Sequence, residues 1–399
     1  MKPNVLQLID SFHQGGTERQ AVQLARLLHE SGRYHVHVAC LKGEGVLRDE
    51  VLRLGLADIP EFPLTSFYDA NMARQSRRFA RLLREREIDV LHTHDFYTNV
   101  FGMAGAVLAR APVARIASRR ETRGMRSRAQ KFIERRAYAH AHAVVANAEA
   151  VRRELISEGV RDSKIVTLYN GLDLNRVTTP ENSEREETLA RLSLSGAAGK
   201  RLVTIVANMR HPVKDHKTFL RAARRVRAEI PDAAFVLAGE GELLESLRAY
   251  AAELGLESDA FFTGRCAQVA ELLKASEVCA LSSTHEGFSN SILEYMAAAR
   301  PVVVTDVGGA REAVIEGETG YIVRAGDDES MAARIISLLR EPLRAREMGA
   351  RGRQVVEENF SCAAQLARTE ELYEKLLATV RDGKHAQAAQ VTERTQAIL

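Results

Sequence analysis

The stretch Glu286–Glu294, EGFSNSILE, sets two carboxylates around a glycine and the short polar side chains of Ser289, Asn290 and Ser291. It lies between two apolar runs, Val278–Leu281 and Pro301–Thr305. A polar loop leading from a buried strand into an apolar helix presents backbone N–H groups at the helix start, where an anion binds. A carboxylate beside such a loop accepts hydrogen bonds from neighbouring hydroxyls, as acidic residues do for the ribose of dinucleotides. Phosphate plus diol is the chemistry of a sugar nucleotide. Ser291 and Glu294 also have capping-box spacing, which offers Glu294 a purely structural task. With Ser289 as N-cap, Glu294 is free for a ligand; with Ser291 as N-cap and its box closed, the ribose reading falls.

Other residues could join it. Arg210 and Lys214, in NMRHPVKDHKTF, put two cations on a loop before a helix, suited to a diphosphate whose charge grows as its bond to the leaving group breaks, or else simply solvated. Gly239, Gly241 and the exit Phe262–Arg265 follow strands and permit close backbone approach. Near the N-terminus, Gly15-Gly16-Thr17 either approaches a phosphate or forms a tight turn with Thr17 as N-cap, and it is not the GxGxxG of a nicotinamide site. His92 and His94 project to one face of a strand end, where structural and substrate-contact roles both stand; a metal would need ligands beyond the nearby Asp95.

Positioning these groups requires strands. Val5–Ile9, His35–Leu41, Val90–His94, Arg115–Ser118, Ala143–Ala146 and Lys164–Leu168 read as strands alternating with helical patterns over Glu18–Ser31, Met72–Arg86, Tyr97–Ala109 and Arg128–His140. Such alternation predicts a doubly wound α/β domain. A second alternation has strands Leu202–Ala207, Ala234–Ala238, Ala260–Thr263, Val278–Leu281, Val302–Thr305 and Tyr321–Val323. Its helices are Lys217–Glu229, Leu243–Leu254, Val269–Ala275, Ser291–Ala299 and Ser330–Leu339. The expected organisation is a first domain over 1–177, a linker over 178–199, a second domain over 200–360, a closing helix over 361–380 and a flexible polar tail over 381–399. Open α/β sheets bind ligands beyond the carboxyl ends of their strands, so two such domains imply a cleft, and every motif above lies at such an end.

At 399 residues the chain exceeds the roughly 250–300 that one core sustains. Its 56 Lys and Arg against 53 Asp and Glu give a net charge of +3, too balanced for an obligate nucleic-acid partner. Asn71–Arg136 nevertheless carries 16 basic and 6 acidic residues, either solvated arginine-rich faces or a surface for anionic membrane. Cys40, Cys266, Cys279 and Cys362 are scattered without a CxxC, as free thiols in a reducing compartment. No apolar run is long enough for a signal sequence or a membrane span, so the expected location is cytoplasmic, with at most peripheral contact at the inner face of the membrane.

GGTER, HTHD, the Arg/Lys loop, AGEGEL, FTGR, EGFSNSILEYMA and PVVVTDVGGAREAVIEGETGYIV, in this order over nearly the whole chain, resemble family 4 of the retaining glycosyltransferases. The resemblance implies a GT-B architecture of two Rossmann-like domains facing across a cleft, a donor held mainly by the second, an acceptor against the first, no metal or other cofactor, and a last helix that returns to the first domain. It implies that Glu286 holds donor-sugar hydroxyls, that Gly287, Phe288, Ser289 and Asn290 meet sugar and phosphate, and that Glu294 holds the ribose. By the same resemblance Arg210 and Lys214 neutralise the diphosphate, Gly16 approaches it, His94 contacts the sugar, and Gly15, Gly239, Gly241 and Arg265 border the donor. Many members carry Arg where this chain has Asn208, its own Arg210 lying two residues later.

The expected activity is transfer of a hexosyl or N-acetylhexosaminyl group, from a UDP-sugar in the first instance, to a saccharide or lipid-linked saccharide of cell-envelope or exopolysaccharide synthesis. The alternatives are a nucleotide-sugar epimerase on the same architecture and a non-catalytic sugar-nucleotide binder. Arg119, Arg120, Arg123 and Arg126 are the candidates for an acceptor phosphate or a membrane surface.

Overall fold

The computed structural model describes residues 2–67, 69–121, 126–178 and 185–396, with residues 381–396 described by their backbone alone. The chain divides into two units, Met1–Asn170 with Ala363–Leu399, and Gly171–Cys362.

The first unit runs β1 (Asn4–Ile9), α1 (Gly16–Glu30), β2 (His35–Cys40), α2 (Arg48–Arg53), α3 (Ala70–Glu85), β3 (Val90–Thr93), α4 (Phe96–Ala109), β4 (Ala114–Arg119), α5 (Arg128–His140), β5 (Ala143–Ala146), α6 (Glu149–Ser157) and β6 (Ile165–Thr167). All six strands are parallel, in the order β2-β1-β3-β4-β5-β6. Strand order reverses at β1 and β3, which makes their carboxyl ends the switch point of this sheet.

The second unit runs α7 (Arg185–Arg191), β7 (Arg201–Val206), α8 (His216–Glu229), β8 (Ala233–Ala238), α9 (Leu244–Glu253), β9 (Ala260–Gly264), α10 (Val269–Ala275), β10 (Val278–Leu281), α11 (Asn290–Ala297), β11 (Val302–Thr305), α12 (Ala310–Ala313), β12 (Gly320–Val323), α13 (Asp328–Arg340) and α14 (Pro342–Asn359). Its parallel sheet is ordered β12-β11-β10-β7-β8-β9, with the switch at β10 and β7. The last helix, α15 (Cys362–Gln396), runs past Val380, where the sequence reading ends it.

Every expected strand is present with its ends within one residue, because β-branched runs buried on both faces leave little choice of register. Helices built on small or charged residues were missed. In α14 the buried face is Ala345, Met348, Gly349, Gly352, Val355 and Val356. Its glycines hide the apolar period, yet a Cβ on Gly349 would lie 2.2 Å from the Ala299 carbonyl oxygen, so the close crossing demands glycine there. Residues expected to form a linker also fold inward: Leu189 on α7, with Leu192, Leu194 and Ala197, packs on Leu202, Ala234 and Val236.

The first unit's core closes with residues from the far end of the chain. Leu372, Tyr373, Leu376 and Leu377 of α15 pack with Val5, Ile9, Leu24, Leu28 and Val38. Each such leucine is worth about 2 kcal/mol of burial, which fixes the helix to this sheet.

Candidate active site

In the second unit the switch point brings two loops together. The turn Pro212–Lys214 follows β7, and Ser282 to Glu286 follows β10. Four bonds dock the turn: the Ser282 hydroxyl is shared between the carbonyls of Lys214 and Asp215, each at 2.9 Å, and the Thr284 N–H and hydroxyl donate to the Val213 carbonyl at 2.8 and 3.3 Å. Asp215, at φ 42°, then accepts from Thr218 as N-cap of α8. Lys214 Nζ donates to Glu286 Oε1 at 2.5 Å, with the side chains 17% and 14% exposed. The Ser283 hydroxyl donates to the same oxygen at 2.7 Å. A cation and a carboxylate are thus held in contact at the mouth of the sheet, screened little by solvent.

The loop beyond Glu286 rests on glycine. A Cβ on Gly308, at φ 55°, would lie 2.4 Å from the Glu286 carbonyl oxygen, and the Gly309 N–H donates to Gly287 at 2.7 Å. Phe288 is buried against Phe360, ring centroids 5.2 Å apart. Ser289 is the N-cap of α11 without a side-chain bond, and Asn290 opens the helix. Ser291 is no cap: its hydroxyl donates to the Val206 carbonyl at 2.9 Å, and Tyr295 stands beside it, its hydroxyl accepting from the Val206 N–H at 2.7 Å. The capping-box alternative for Glu294 is therefore overturned. The Glu294 carboxylate makes no hydrogen bond or ion pair among the described residues; burial raises its pKa, and the Arg176 charge pulls the other way.

Other expected site residues are placed differently. Arg210 is exposed and reaches Glu240 at 3.5 Å rather than the Lys214–Glu286 pair. Gly239 and Gly241 have a packing cause that needs no ligand, since Cβ atoms there would lie 1.9 Å from the Ala207 oxygen and 2.3 Å from the Met209 carbonyl carbon. Arg265 is exposed at the exit of β9.

At the first unit's switch point, Gly15 is the N-cap of α1, so the reading of Thr17 as N-cap is overturned; a Cβ on Gly15 would strike the Glu18 carboxylate at 2.1 Å. His92 and His94 stack with centroids 4.5 Å apart. A directional chain of hydrogen bonds fixes both: His94 Nε2 to Gln7 Oε1 at 2.8 Å, Gln7 Nε2 to the Tyr373 hydroxyl at 3.0 Å, that hydroxyl to His92 Nδ1 at 2.8 Å, and His92 Nε2 to Ser118 Oγ at 2.8 Å. Burial lowers His92 to about 3 and His94 well below its ordinary value, so both rings are neutral. His94 is 1% exposed, and its remaining nitrogen faces Arg120 at 3.5 Å, which leaves it no open ring edge in this conformation.

The arginine group is mostly internal. Arg119 is 2% exposed and pairs with Glu158 at 2.5 Å, Glu154 at 3.5 Å and Glu134 at 3.8 Å. Arg126 is buried between Glu121 and Glu134 and covers the Phe96 ring. Neither can face a membrane, which corrects that expectation: a buried guanidinium persists only when paired. Arg120 bonds Asn170 at 2.7 Å, and Arg123 lies outside the described residues.

The sequence reading passed over Ser282, Ser283 and the acids Asp10 and Glu18, and weighed Asp95 only as a metal ligand. All three acids have raised pKa values, chiefly through burial, with Asp95 pushed up to about 7. Two serines directly after an apolar strand and before a glutamate were the available signal.

A sequence profile described as Glycosyltransferase Family 4 matches residues 14–176, and one described as Glycosyl transferases group 1 matches residues 200–341. The chain belongs to the family 4 glycosyltransferases. EpsD of Bacillus subtilis (strain 168) is 35% identical to this chain over 141 residues, 35% of the chain and 37% of EpsD. N-acetyl-alpha-D-glucosaminyl L-malate synthase of Bacillus anthracis is 31% identical over 239 residues, 59% of the chain and 61% of that enzyme. In both cases the match spans less than two thirds of the relative. Among solved structures, Anabaena HepE in complex with UDP superposes with a TM-score of 0.82 at 20% identity, covering 94% of this chain and all of HepE, and so shares the GT-B fold.

Proposed function

We propose that this chain is a metal-independent, retaining glycosyltransferase that moves a hexosyl or N-acetylhexosaminyl group from a UDP-sugar to a saccharide or lipid-linked saccharide of cell-envelope or exopolysaccharide synthesis. The observation that carries it is the Lys214–Glu286 pair at the β7/β10 switch point. A donor diphosphate draws Lys214 away from Glu286, and the freed carboxylate accepts from the sugar hydroxyls. Glu294 accepts from the ribose diol. The bond between the anomeric carbon and the phosphate oxygen breaks, the acceptor oxygen bonds to that carbon on the same face, and its proton passes to the departing phosphate. Lys214, with Arg210 as a second cation, then offsets the charge that develops. The test is UDP release from a panel of UDP- and GDP-sugars with and without EDTA, with the anomeric coupling of the product read by NMR. Inverted product would sink retention, loss of turnover in EDTA restored by magnesium would sink metal independence, and no turnover of any donor would sink the transferase.

We also propose peripheral contact with anionic bilayers through α4, which has no charged residue from Phe96 to Ala109 and exposes Tyr97, Val107 and Leu108. The neighbouring α5 exposes Phe132 beneath Arg135 and Arg136, and α3 exposes Arg74, Arg77, Arg81 and Arg84. An apolar strip flanked by cations suits a lipid surface. Cosedimentation with phosphatidylglycerol vesicles and not phosphatidylcholine vesicles, weakening with salt, is expected; equal recovery with both would overturn the contact.

A further inference from the structure

Two consecutive serines hold the two ends of the ion pair separately. Ser282 and Ser283 leave β10 with no exposed surface. The Ser282 hydroxyl grips the backbone that carries Lys214, through the Lys214 and Asp215 carbonyls. The Ser283 hydroxyl grips the Glu286 carboxylate, at the same Oε1 that Lys214 reaches. Behind them the Thr305 hydroxyl, at the end of β11, donates to the Ser283 carbonyl at 2.6 Å and so fixes the serine backbone. Successive residues of an extended segment point to opposite sides, which is how adjacent serines reach two different loops.

We infer that Ser282 and Ser283 are positioning residues, Ser282 setting the place of the Lys214 ammonium and Ser283 setting the place of the Glu286 carboxylate. The inference rests on the roles proposed above for those two side chains. A donor that draws Lys214 away leaves Glu286 with the Ser283 bond, so the carboxylate keeps its aim while its cation changes partner. Ser282 keeps the turn in register during that exchange, because its bonds go to the backbone and not to the ammonium. The two serines should therefore fail differently. Glu286 meets the donor sugar in ground and transition states alike, so loosening it raises KM. Lys214 meets charge that appears as the bond breaks, so displacing it lowers kcat.

The experiment compares Ser282→Ala, Ser283→Ala and their threonine counterparts, using UDP release from UDP-glucose or UDP-N-acetylglucosamine, whichever the unaltered chain turns over. Loss of a hydrogen bond to a charged group predicts a donor KM raised about ten- to a hundredfold in Ser283→Ala with kcat nearly kept, and loss of hydrogen bonds to the neutral Lys214 and Asp215 carbonyls predicts a smaller kcat fall, about tenfold, in Ser282→Ala with KM nearly kept. Threonine should restore each. Wild-type constants in both alanine variants, beside impaired Lys214→Ala and Glu286→Ala, would overturn the positioning roles alone. Wild-type constants in Lys214→Ala and Glu286→Ala would overturn the site reading itself. Equal losses in both serine variants that follow a lowered melting temperature, unrescued by threonine, would reduce the serines to structural roles. Crystal structures of the alanine variants give a readout without substrate: the Lys214–Glu286 contact should open beyond 4 Å, and a pair kept at 2.5 Å in both would overturn the inference.

Discussion

Lys214 Nζ sits 2.5 Å from Glu286 Oε1, so each of the two groups assigned to the donor already neutralises the other. On the proposed roles, displacing that contact is part of donor binding; in the free protein it keeps the ammonium from being a buried lone charge. Lys214→Ala should lower kcat about 100- to 1,000-fold while donor KM changes by less than about threefold. Steady-state kinetics checks it, and an unchanged kcat would remove Lys214 from the site.

Among the described residues the Glu294 carboxylate has no hydrogen bond or ion pair, only the nearby charge of Arg176, and burial raises its pKa. Glu294→Gln should leave the melting temperature of the free protein unchanged or raised, since a poorly paired charge is removed. The unaltered chain should bind UDP about tenfold tighter than 2′-deoxy-UDP, and the variant should bind both alike. Calorimetry with the two nucleotides decides; equal affinities in the unaltered chain would end the ribose role.

Asp95 caps α4 and is pushed from its ordinary 3.8 up to about 7, chiefly by burial and then by repulsion from Asp10. A raised folded-state value means that stabilisation by the protonated form is complete below about pH 3.8 and is lost as pH climbs to about 7. Asparagine keeps the cap and does not titrate. Asp95→Asn should gain on the unaltered chain across that window by up to about 1.4 kcal/mol per pH unit. Parallel melting curves from pH 4 to 7.5 would refute this.

Tyr373→Phe removes one hydroxyl from the middle of the chain that runs from His94 to Ser118, leaving Gln7 Nε2 and His92 Nδ1 without it. Two unsatisfied buried groups should cost about 2–4 kcal/mol. Denaturant unfolding measures this, and a cost below about 0.5 kcal/mol would show that water or neighbours replace the hydroxyl.

Arg119 and the α4 surface should separate cleanly. Arg119→Ala strands Glu154, takes one of two cations from Glu134 and from Glu158, and should destabilise by about 3–5 kcal/mol. Vesicle binding, by contrast, should fall with Leu108→Glu and leave the melting temperature nearly unchanged, because Leu108 is exposed. The reverse pattern would return the membrane role to the buried arginine.

Much of this was legible before any coordinates, and its limits have physical causes. Strands announce themselves through β-branched runs, and the family resemblance named Lys214 and Glu286 together, which the adjacency of β7 and β10 in the sheet explains. Their direct contact could not be read, because it depends on Ser282 and Ser283, whose partners lie in other loops. Arg119 looks like surface in the sequence because Glu134, Glu154 and Glu158 come 15 to 39 residues later and on two helices. His94 looked available for the same reason: its partner Gln7 is 87 residues away. The helix α14 was hidden by small residues whose task is close crossing rather than apolar bulk.

The return of Tyr373 to the first sheet bears on how the molecule is made. A ribosome delivers β1 to β6 before α15, so the core around Val5 and Ile9 lacks Leu372, Tyr373 and Leu376 until that helix emerges. The second unit is contiguous in sequence, Gly171–Cys362. The first unit therefore cannot close its core during synthesis until α15 follows, and a chain cut short before α15 leaves that core open.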